Sequence, residues 1–327
     1  LGIYHFLNLF FYFEILIIFF VFLLIVFKRI SYFISEKRTR RLKANISQYI
    51  ADYLEKKEER SKSFLSPHLL LETLEQYDRR IEGDEWGIVK NELADKYLLP
   101  VARNWFRSWF WVRRNFAARV FALAPLFRDE FLILVLVDDR SFLVRSIASA
   151  ACIKLESRKG VLKTLENMNR EPGYGRYFYL DLLSQGSDQI FRWVAEIGEA
   201  IPELCVVSLE VFSLKTARVP IPFLQTSLKN SNPQIRIAAL KVAIRNPQYG
   251  SVELFIECLD DPDEKIRVLG AKGLGNYSDQ KSYLGLVKGG EDSSWVVRLE
   301  CARSLKNLEQ IKLLHDPQLI EYVSEFG

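Results

Sequence analysis

Acids and arginines recur along this chain at a fixed distance. Asp139 precedes Arg145 by six residues, Asp261 precedes Arg267 by six, and Asp292 precedes Arg298 by six. Asn230 stands in the same relation to Arg236. The chemistry open to these pairs is the charge-assisted hydrogen bond, often two-pronged when a guanidinium meets a carboxylate. That gives the acids a structural job, so choosing two of them as a general acid–base dyad would be arbitrary. The other reactive residue types are scattered. His5, His68 and His315 stand alone, and no HExxH, GxSxG or phosphate-binding loop is present. Gly173 and Gly175 lack the preceding strand and the lysine-bearing helix that a nucleotide loop needs. Cys152, Cys205, Cys258 and Cys301 lie far apart in apolar helical patterns, with no CxxC pair. They read as reduced core residues rather than disulfides or metal ligands. No catalytic residue, cofactor site or metal site is assigned.

The elements that must position these residues follow from their period. The β-branched residue just before the arginine falls at 235, 266 and 297, a spacing of 31 each time. A fixed period of this size indicates stacked helical pairs. Asp or Asn opens each copy because its side chain can cap the first free N–H groups of a helix. The Ile or Val faces the core, and four residues on stands Ala239, Gly270 or Cys301, small enough for helices to approach closely. In a stack, each arginine can reach the acid or amide of the next unit. Asp139, Arg145, Arg236, Asp261, Arg267, Asp292 and Arg298 are therefore read as a structural ladder. These residues resemble the HEAT repeat family. Two further copies share the pattern: Asp139 to Arg145 with Val144, Ala148 and Cys152, and a weaker one with Val112-Arg113 and Ala117-Ala118. From 112 to 144 is 32 residues, and from 144 to 235 is 91, room for two more divergent units. The resemblance implies an all-α fold, a right-handed α-solenoid of about six to seven repeats over residues 66–310. A capping helix is expected over 311–327, with Leu319, Tyr322 and Val323 on its apolar face.

The N-terminus reads differently. Residues 15–27 carry no polar side-chain atom, and 7–13 add apolar length interrupted only by Asn8. The sum suffices for one transmembrane helix, expected within 1–29. No basic region precedes it and no small-residue cleavage site follows, which argues against a signal peptide. Lys28, Arg29, Lys37, Arg38, Arg40, Arg41 and Lys43 all follow the span, and no Lys or Arg precedes it. The positive-inside rule then puts the N-terminus outside and the main domain in the cytoplasm. The same residues would contact anionic lipid headgroups. Glu14 lies within the apolar run, where an ionisable group commonly faces a protein partner; a position near the outer headgroups is the alternative. Residues 30–65 are expected to form a basic, amphipathic juxtamembrane helix and linker, with Ile46, Ile50, Tyr53 and Leu54 as a narrow apolar stripe.

Two more helices are expected ahead of Pro100. Ser66-Pro67 opens the first, and Asp84 the second, with Trp86, Val89, Leu93 and Tyr97 buried. Residues 101–121 are dense in arginine and aromatics. On one continuous helix, Arg103, Arg107, Trp111 and Arg114 would share a face, with Trp105, Trp109, Val112 and Phe116 on another. The first face is a candidate docking surface for a lipid interface or a membrane partner. The structural alternative is a core of large residues with a solvated arginine side. A net charge of +4 is too small to argue for nucleic acid.

Composition and pattern together point to binding rather than turnover. The reading is a non-catalytic, membrane-anchored scaffold or accessory subunit whose HEAT-like domain binds an integral-membrane protein. In architecture the chain resembles bacterial membrane-anchored HEAT proteins that accompany membrane glycosyltransferases in exopolysaccharide synthesis and export. That resemblance implies a glycosyltransferase partner and a bacterial inner membrane. Two alternatives come from other classes: a lyase of the type found among bilin lyases that resemble this repeat, and a HEAT-like protein binding nucleic acid through Arg103, Arg107, Arg113 and Arg114.

Overall fold

A computed structural model describes residues 66–214 and 219–310, together with helical residues at 16–23, 25, 26, 28, 29, 36, 40–48, 50 and 51. Every regular element among the described residues is helical. Two compact units divide at Ala124 and Pro125.

The first unit contains α1 (Pro67–Asp78), α2 (Asp84–Leu93), α3 (Leu99–Trp105) and α4 (Trp111–Leu123). Leu70, Leu71 and Leu74 of α1, Trp86, Val89 and Leu93 of α2, and Phe116, Val120 and Phe121 of α4 are buried. Pro100 does not end a helix, contrary to expectation. A π turn over Ala94–Leu98 carries the chain from α2 into α3, and Pro100 sits in the first turn of α3. The missing N–H of a proline costs nothing there.

The second unit holds α5 (Glu130–Val137), α6 (Phe142–Lys154), α7 (Arg158–Arg170), α8 (Tyr174–Ser184), α9 (Asp188–Ala200) and α10 (Pro202–Phe212). It continues with α11 (Ile221–Leu228), α12 (Pro233–Arg245), α13 (Val252–Cys258), α14 (Glu264–Leu274), α15 (Gln280–Gly289) and α16 (Trp295–Gln310). Each odd-numbered helix packs on the even-numbered one that follows it. Each even-numbered helix also packs on the even-numbered helix of the neighbouring pair. This is the contact pattern of a solenoid: no pair covers its apolar face alone, and stacking makes one continuous core.

The repeat has one internal register. Along the second helix of a pair, three residues four apart face the core: Val144, Ala148 and Cys152; Ile235, Ala239 and Ala243; Ile266, Gly270 and Leu274; Val297, Cys301 and Leu305. The stretch between Arg145 and Arg236, expected to be divergent, keeps this register. Gly175, Tyr179 and Leu183 stand 31 residues after the first set, and Leu204, Ser208 and Phe212 stand 31 before the second. The 91-residue interval is therefore 31, 29 and 31. In α8 the sizes are exchanged: glycine stands where the others have Val, Ile or Leu, and a fully buried tyrosine stands where they have a small residue.

The cysteines lie inside this stack. All four are free; Cys152, Cys205 and Cys301 are buried and Cys258 is half-buried. Burial first, then neighbouring carboxylates, push the thiols of Cys152, Cys258 and Cys301 up to about 12. A thiol that stays protonated is a poor nucleophile. Iodoacetamide at pH 8 should leave these three unmodified in the folded protein and alkylate them in denaturant, read by intact mass.

Candidate docking surfaces on a structural ladder

The ladder is built from one turn, repeated. In the turn before α14, the Asp261 carboxylate accepts the Asp263 N–H (2.8 Å), and Asp263 accepts the Lys265 N–H (2.8 Å). The same nested pair joins Asn230 to Asn232 and Asn232 to Gln234. Asp292 accepts the Ser294 N–H, and Ser294 accepts the Val296 N–H. The first acid or amide is thus not the helix cap, as the sequence suggested. The cap stands two residues later, because the helix starts too far from the first acid for its carboxylate to reach.

This leaves the first acid's carboxylate for the preceding repeat. Arg236 donates to both oxygens of Asp261 (3.1 and 3.4 Å). Arg267 makes a two-pronged contact with Asp292, Nε at 2.8 Å and a terminal nitrogen at 3.2 Å. The other terminal nitrogen of each arginine donates to two carbonyls of its own turn: Asn230 and Ser231 for Arg236, Asp261 and Pro262 for Arg267, Asp292 and Ser293 for Arg298. One guanidinium therefore clamps its own helix start and ties it to the next pair. Arg145 clamps Asp139 and Arg140 and reaches forward to Glu171, an acid with no place in the six-residue spacing. Arg176 stands 31 after Arg145 and pairs with Glu210 on α10 (Nε at 2.8 Å). In α10 the arginine position is taken by Cys205, so the ladder is interrupted there.

The rungs titrate. Burial raises the Asp292 carboxyl, but the hydrogen bond from Arg267 and the Ser294 N–H outweigh it and hold the group below its ordinary 3.8. A depressed folded pKa gives stability that is present above 3.8 and is lost as pH falls through the folded value. The expected result is that Asp292→Asn lowers the stability of the second unit near neutral pH and flattens its loss of stability in acid, with no shift of the acid transition to lower pH, followed by circular dichroism.

The first unit contains the same turn, one residue out of the register the sequence suggested. The ladder arginine is Arg114, not Arg113: it donates to the carbonyls of Ser108 (2.8 Å) and Trp109 (2.9 Å). Ser108 takes the acid's place and accepts the Phe110 N–H at 3.4 Å. Arg114 stands 31 before Arg145, so the period holds here as well. This turn breaks residues 101–121 into α3 and α4. Arg103, Arg107, Trp111 and Arg114 therefore do not share one helix face. Arg103 lies on α3 near Asp95 (3.9 Å), Arg107 lies in the turn, Trp111 begins α4, and Arg114 is the clamp.

The turn instead exposes rings. Trp109 is 86% exposed, and Phe110, Trp111 and Val112 are exposed beside it. Arg113 lies over the rings of Trp105 (5.2 Å) and Phe110 (5.7 Å), and Arg107 over Phe106 (5.1 Å). Of the other face named from the sequence, only Phe116 is fully buried. His68 packs edge-on to Phe116 (4.6 Å) while staying partly open to solvent; desolvation, then the Arg119 charge, lower its pKa.

A second exposed aromatic patch lies in the second unit, at the N-termini of α6 and α8. Phe142 meets Phe178 with ring centroids 6.0 Å apart. Leu143, Tyr174 and Tyr177 extend the patch into solvent, Tyr174 being 94% exposed. Gly173, at φ +55°, starts α8 in a left-handed conformation that glycine adopts at little cost. A Cβ on Gly175 would lie 3.2 Å from the Phe142 ring, so the glycine makes room for it. From sequence these glycines are notable only as lacking the context of a nucleotide loop, and the rings beside them carry no signal. Spacing alone does not separate a core aromatic from an exposed one.

The membrane-related residues are placed only in part. Glu14, Lys37 and Arg38 lie outside the described residues, as does the expected cap over 311–327. Lys28, Arg29, Arg40 and Arg41 are exposed. Arg40 pairs with Glu36 (2.5 Å), and Lys43 with Glu72 of α1 (2.7 Å). Leu16 to Leu23 are helical with all eight side chains exposed. Among the described residues, no helix is long and apolar enough to cross a membrane, and no group of three or more His, Cys, Asp or Glu could hold a metal ion.

Fold and ladder together define the class as a helical-repeat protein with HEAT-like pairs. Residues 219–306, α11 through most of α16, match the family described as HEAT repeats. Among solved structures, an Escherichia coli protein, YibA, is 16% identical over 76% of this chain and 98% of its own, with a TM-score of 0.36. An engineered protein is 14% identical over 80% of this chain and 79% of its own, with a TM-score of 0.35. A chain from the complex of CpcE and CpcF of phycocyanin lyase from Nostoc sp. PCC7120 is 15% identical over 70% and 94%, with a TM-score of 0.33. A likeness at that level says nothing of activity or partners. No curated protein matches the sequence.

Proposed function

We propose that this protein is a non-catalytic scaffold that binds another protein through its HEAT-like solenoid while held at a membrane. The observation that carries the binding reading is the patch of Phe142, Leu143, Tyr174, Tyr177 and Phe178. It is aromatic, exposed and shared by two adjacent pairs. Exposed contiguous apolar surface marks interaction sites, and tyrosine is prominent in the residues that dominate them. The acids and arginines nearby are engaged in the ladder. The membrane reading rests on the apolar run 7–27, the basic residues after it, and the outward-facing side chains of 16–23. The occupant is an integral-membrane protein, with Glu14 as a candidate contact inside the bilayer. A glycosyltransferase of exopolysaccharide synthesis or export is the partner class that the architecture resembles.

The test is purification of the full chain in mild detergent with mass spectrometry of what accompanies it. A membrane protein should co-purify in stoichiometric amount. Its recovery should fall about tenfold or more with Tyr174→Ala/Tyr177→Ala, since losing two interfacial tyrosines commonly removes that much affinity. Purification of the chain alone, or recovery unchanged in the double variant, refutes this use of the patch.

A further inference from the structure

The five copies of the ladder turn act as controls for one another. The two residues after the ladder acid are Arg140-Ser141, Ser231-Asn232, Pro262-Asp263 and Ser293-Ser294 in the second unit. All four pairs end in a residue able to cap the helix, and Asn232, Asp263 and Ser294 accept an N–H there. In the first unit the pair is Trp109-Phe110. The turn keeps its shape, with Arg114 on its two carbonyls and the Phe110 N–H on Ser108. Phe110 makes no side-chain cap, and both rings face solvent. The turn therefore forgoes a side-chain helix cap and exposes two large rings.

The stretch that carries these rings has charge of one sign. Residues 96–124 contain Lys96, Arg103, Arg107, Arg113, Arg114 and Arg119, and no Asp or Glu. Arg119 is bound to Glu75, Arg103 lies near Asp95, and Arg114 clamps the turn. Arg107 and Arg113 lie on the faces of Phe106, Trp105 and Phe110 instead. Among the described residues neither is paired with a carboxylate. Cationic heads on half-buried and exposed rings, beside the exposed Trp109, match one environment well. At an anionic bilayer surface, indole rings settle at headgroup level and guanidiniums meet phosphates.

We propose that the turn 106–113 is a lipid-docking site, with Trp109 and Phe110 entering the headgroup layer of an anionic bilayer and Arg107 and Arg113 on its phosphates. This deepens the membrane placement proposed above and rests on it. The site would hold the first unit down at a second point, independent of any partner.

The full chain reconstituted in nanodiscs with brominated acyl chains tests the proposal. Tryptophan fluorescence should be quenched about twofold more strongly in discs containing phosphatidylglycerol than in phosphatidylcholine alone. Trp109→Ser/Phe110→Asn copies the turn at 231–232, and it should abolish the difference while leaving helix content and melting temperature unchanged or raised. Arg107→Gln/Arg113→Gln should remove the preference for the anionic lipid. Equal quenching in both discs, or a lipid preference that survives Trp109→Ser/Phe110→Asn, overturns the proposal. Absence of quenching in either disc also overturns it and leaves an acidic protein surface as the occupant. If the apolar segment does not seat the chain in discs, the anchor has failed and flotation with the same lipids as vesicles reads the turn by itself. Flotation with anionic vesicles only, lost in Trp109→Ser/Phe110→Asn, supports docking; no flotation refutes it.

Discussion

Arg267→Ala should destabilise the second unit by about 3 kcal/mol, near the lower end of what removing one partner of a buried ion pair costs. Three observations set that size. The side chains of Arg267 and Asp292 are 16% and 11% exposed, and the contact is two-pronged. Alanine leaves the Asp292 carboxylate with its Ser294 N–H and no counter-charge. It also frees the carbonyls of Asp261 and Pro262 at the start of α14. The melting temperature should fall by roughly 10 °C for a unit of this size. Arg267→Lys should recover less than half, because an ammonium restores charge but not the fork that serves two sites at once. Asp292→Ala/Arg267→Met should be milder than Arg267→Ala, since it removes the orphaned charge. Thermal melts of the four proteins settle the matter. A change within about 0.5 kcal/mol for Arg267→Ala would reduce the rung to the standing of an ordinary surface pair.

Gly273→Ala should destabilise by about 2 kcal/mol, although helix propensity alone predicts a gain of up to about 1 kcal/mol. Gly273 is the penultimate residue of α14, still helical, where an isolated helix would favour alanine. A Cβ there would sit 2.3 Å from two ring atoms of Phe255. Phe255 is fully buried, so its ring has no room to withdraw. Gly270, one turn earlier, meets Cys258 Cβ at 2.8 Å and the Phe255 carbonyl at 2.9 Å. These glycines let α13 press against the backbone of α14. Gly87→Ala in α2 is the contrasting case: nothing lies within 4 Å of its Cβ, and the substitution should stabilise. Urea denaturation of both variants should therefore give opposite signs, and the same sign for both would refute the packing argument.

The ladder was legible because its signal is local. Arg236, Arg267 and Arg298 each bond carbonyls five and six residues back in their own turns, so the spacing of six is fixed by one turn of chain. Repetition at 31 then follows from repeating the turn. Where tertiary partners replace local ones, the spacing fails. Glu171 serves Arg145 without standing six residues before an arginine, and Glu210 serves Arg176 from inside α10. The register at Arg114 was missed by one residue because serine stands for the acid and Arg113 precedes the clamp. Both arginines look alike in sequence; only the carbonyls of Ser108 and Trp109 distinguish them.

The sequence by itself determined the helical class, the 31-residue unit and the arginines that clamp their own turns, Arg145, Arg236, Arg267 and Arg298, since these are set by contacts within a turn. Tertiary structure alone decided which aromatics are core and which are surface. Phe116 and Tyr179 are buried, while Trp109 and Tyr174 are exposed, in stretches of similar composition. Burial depends on what stands opposite a side chain, and in a solenoid that neighbour is a helix about 30 residues away.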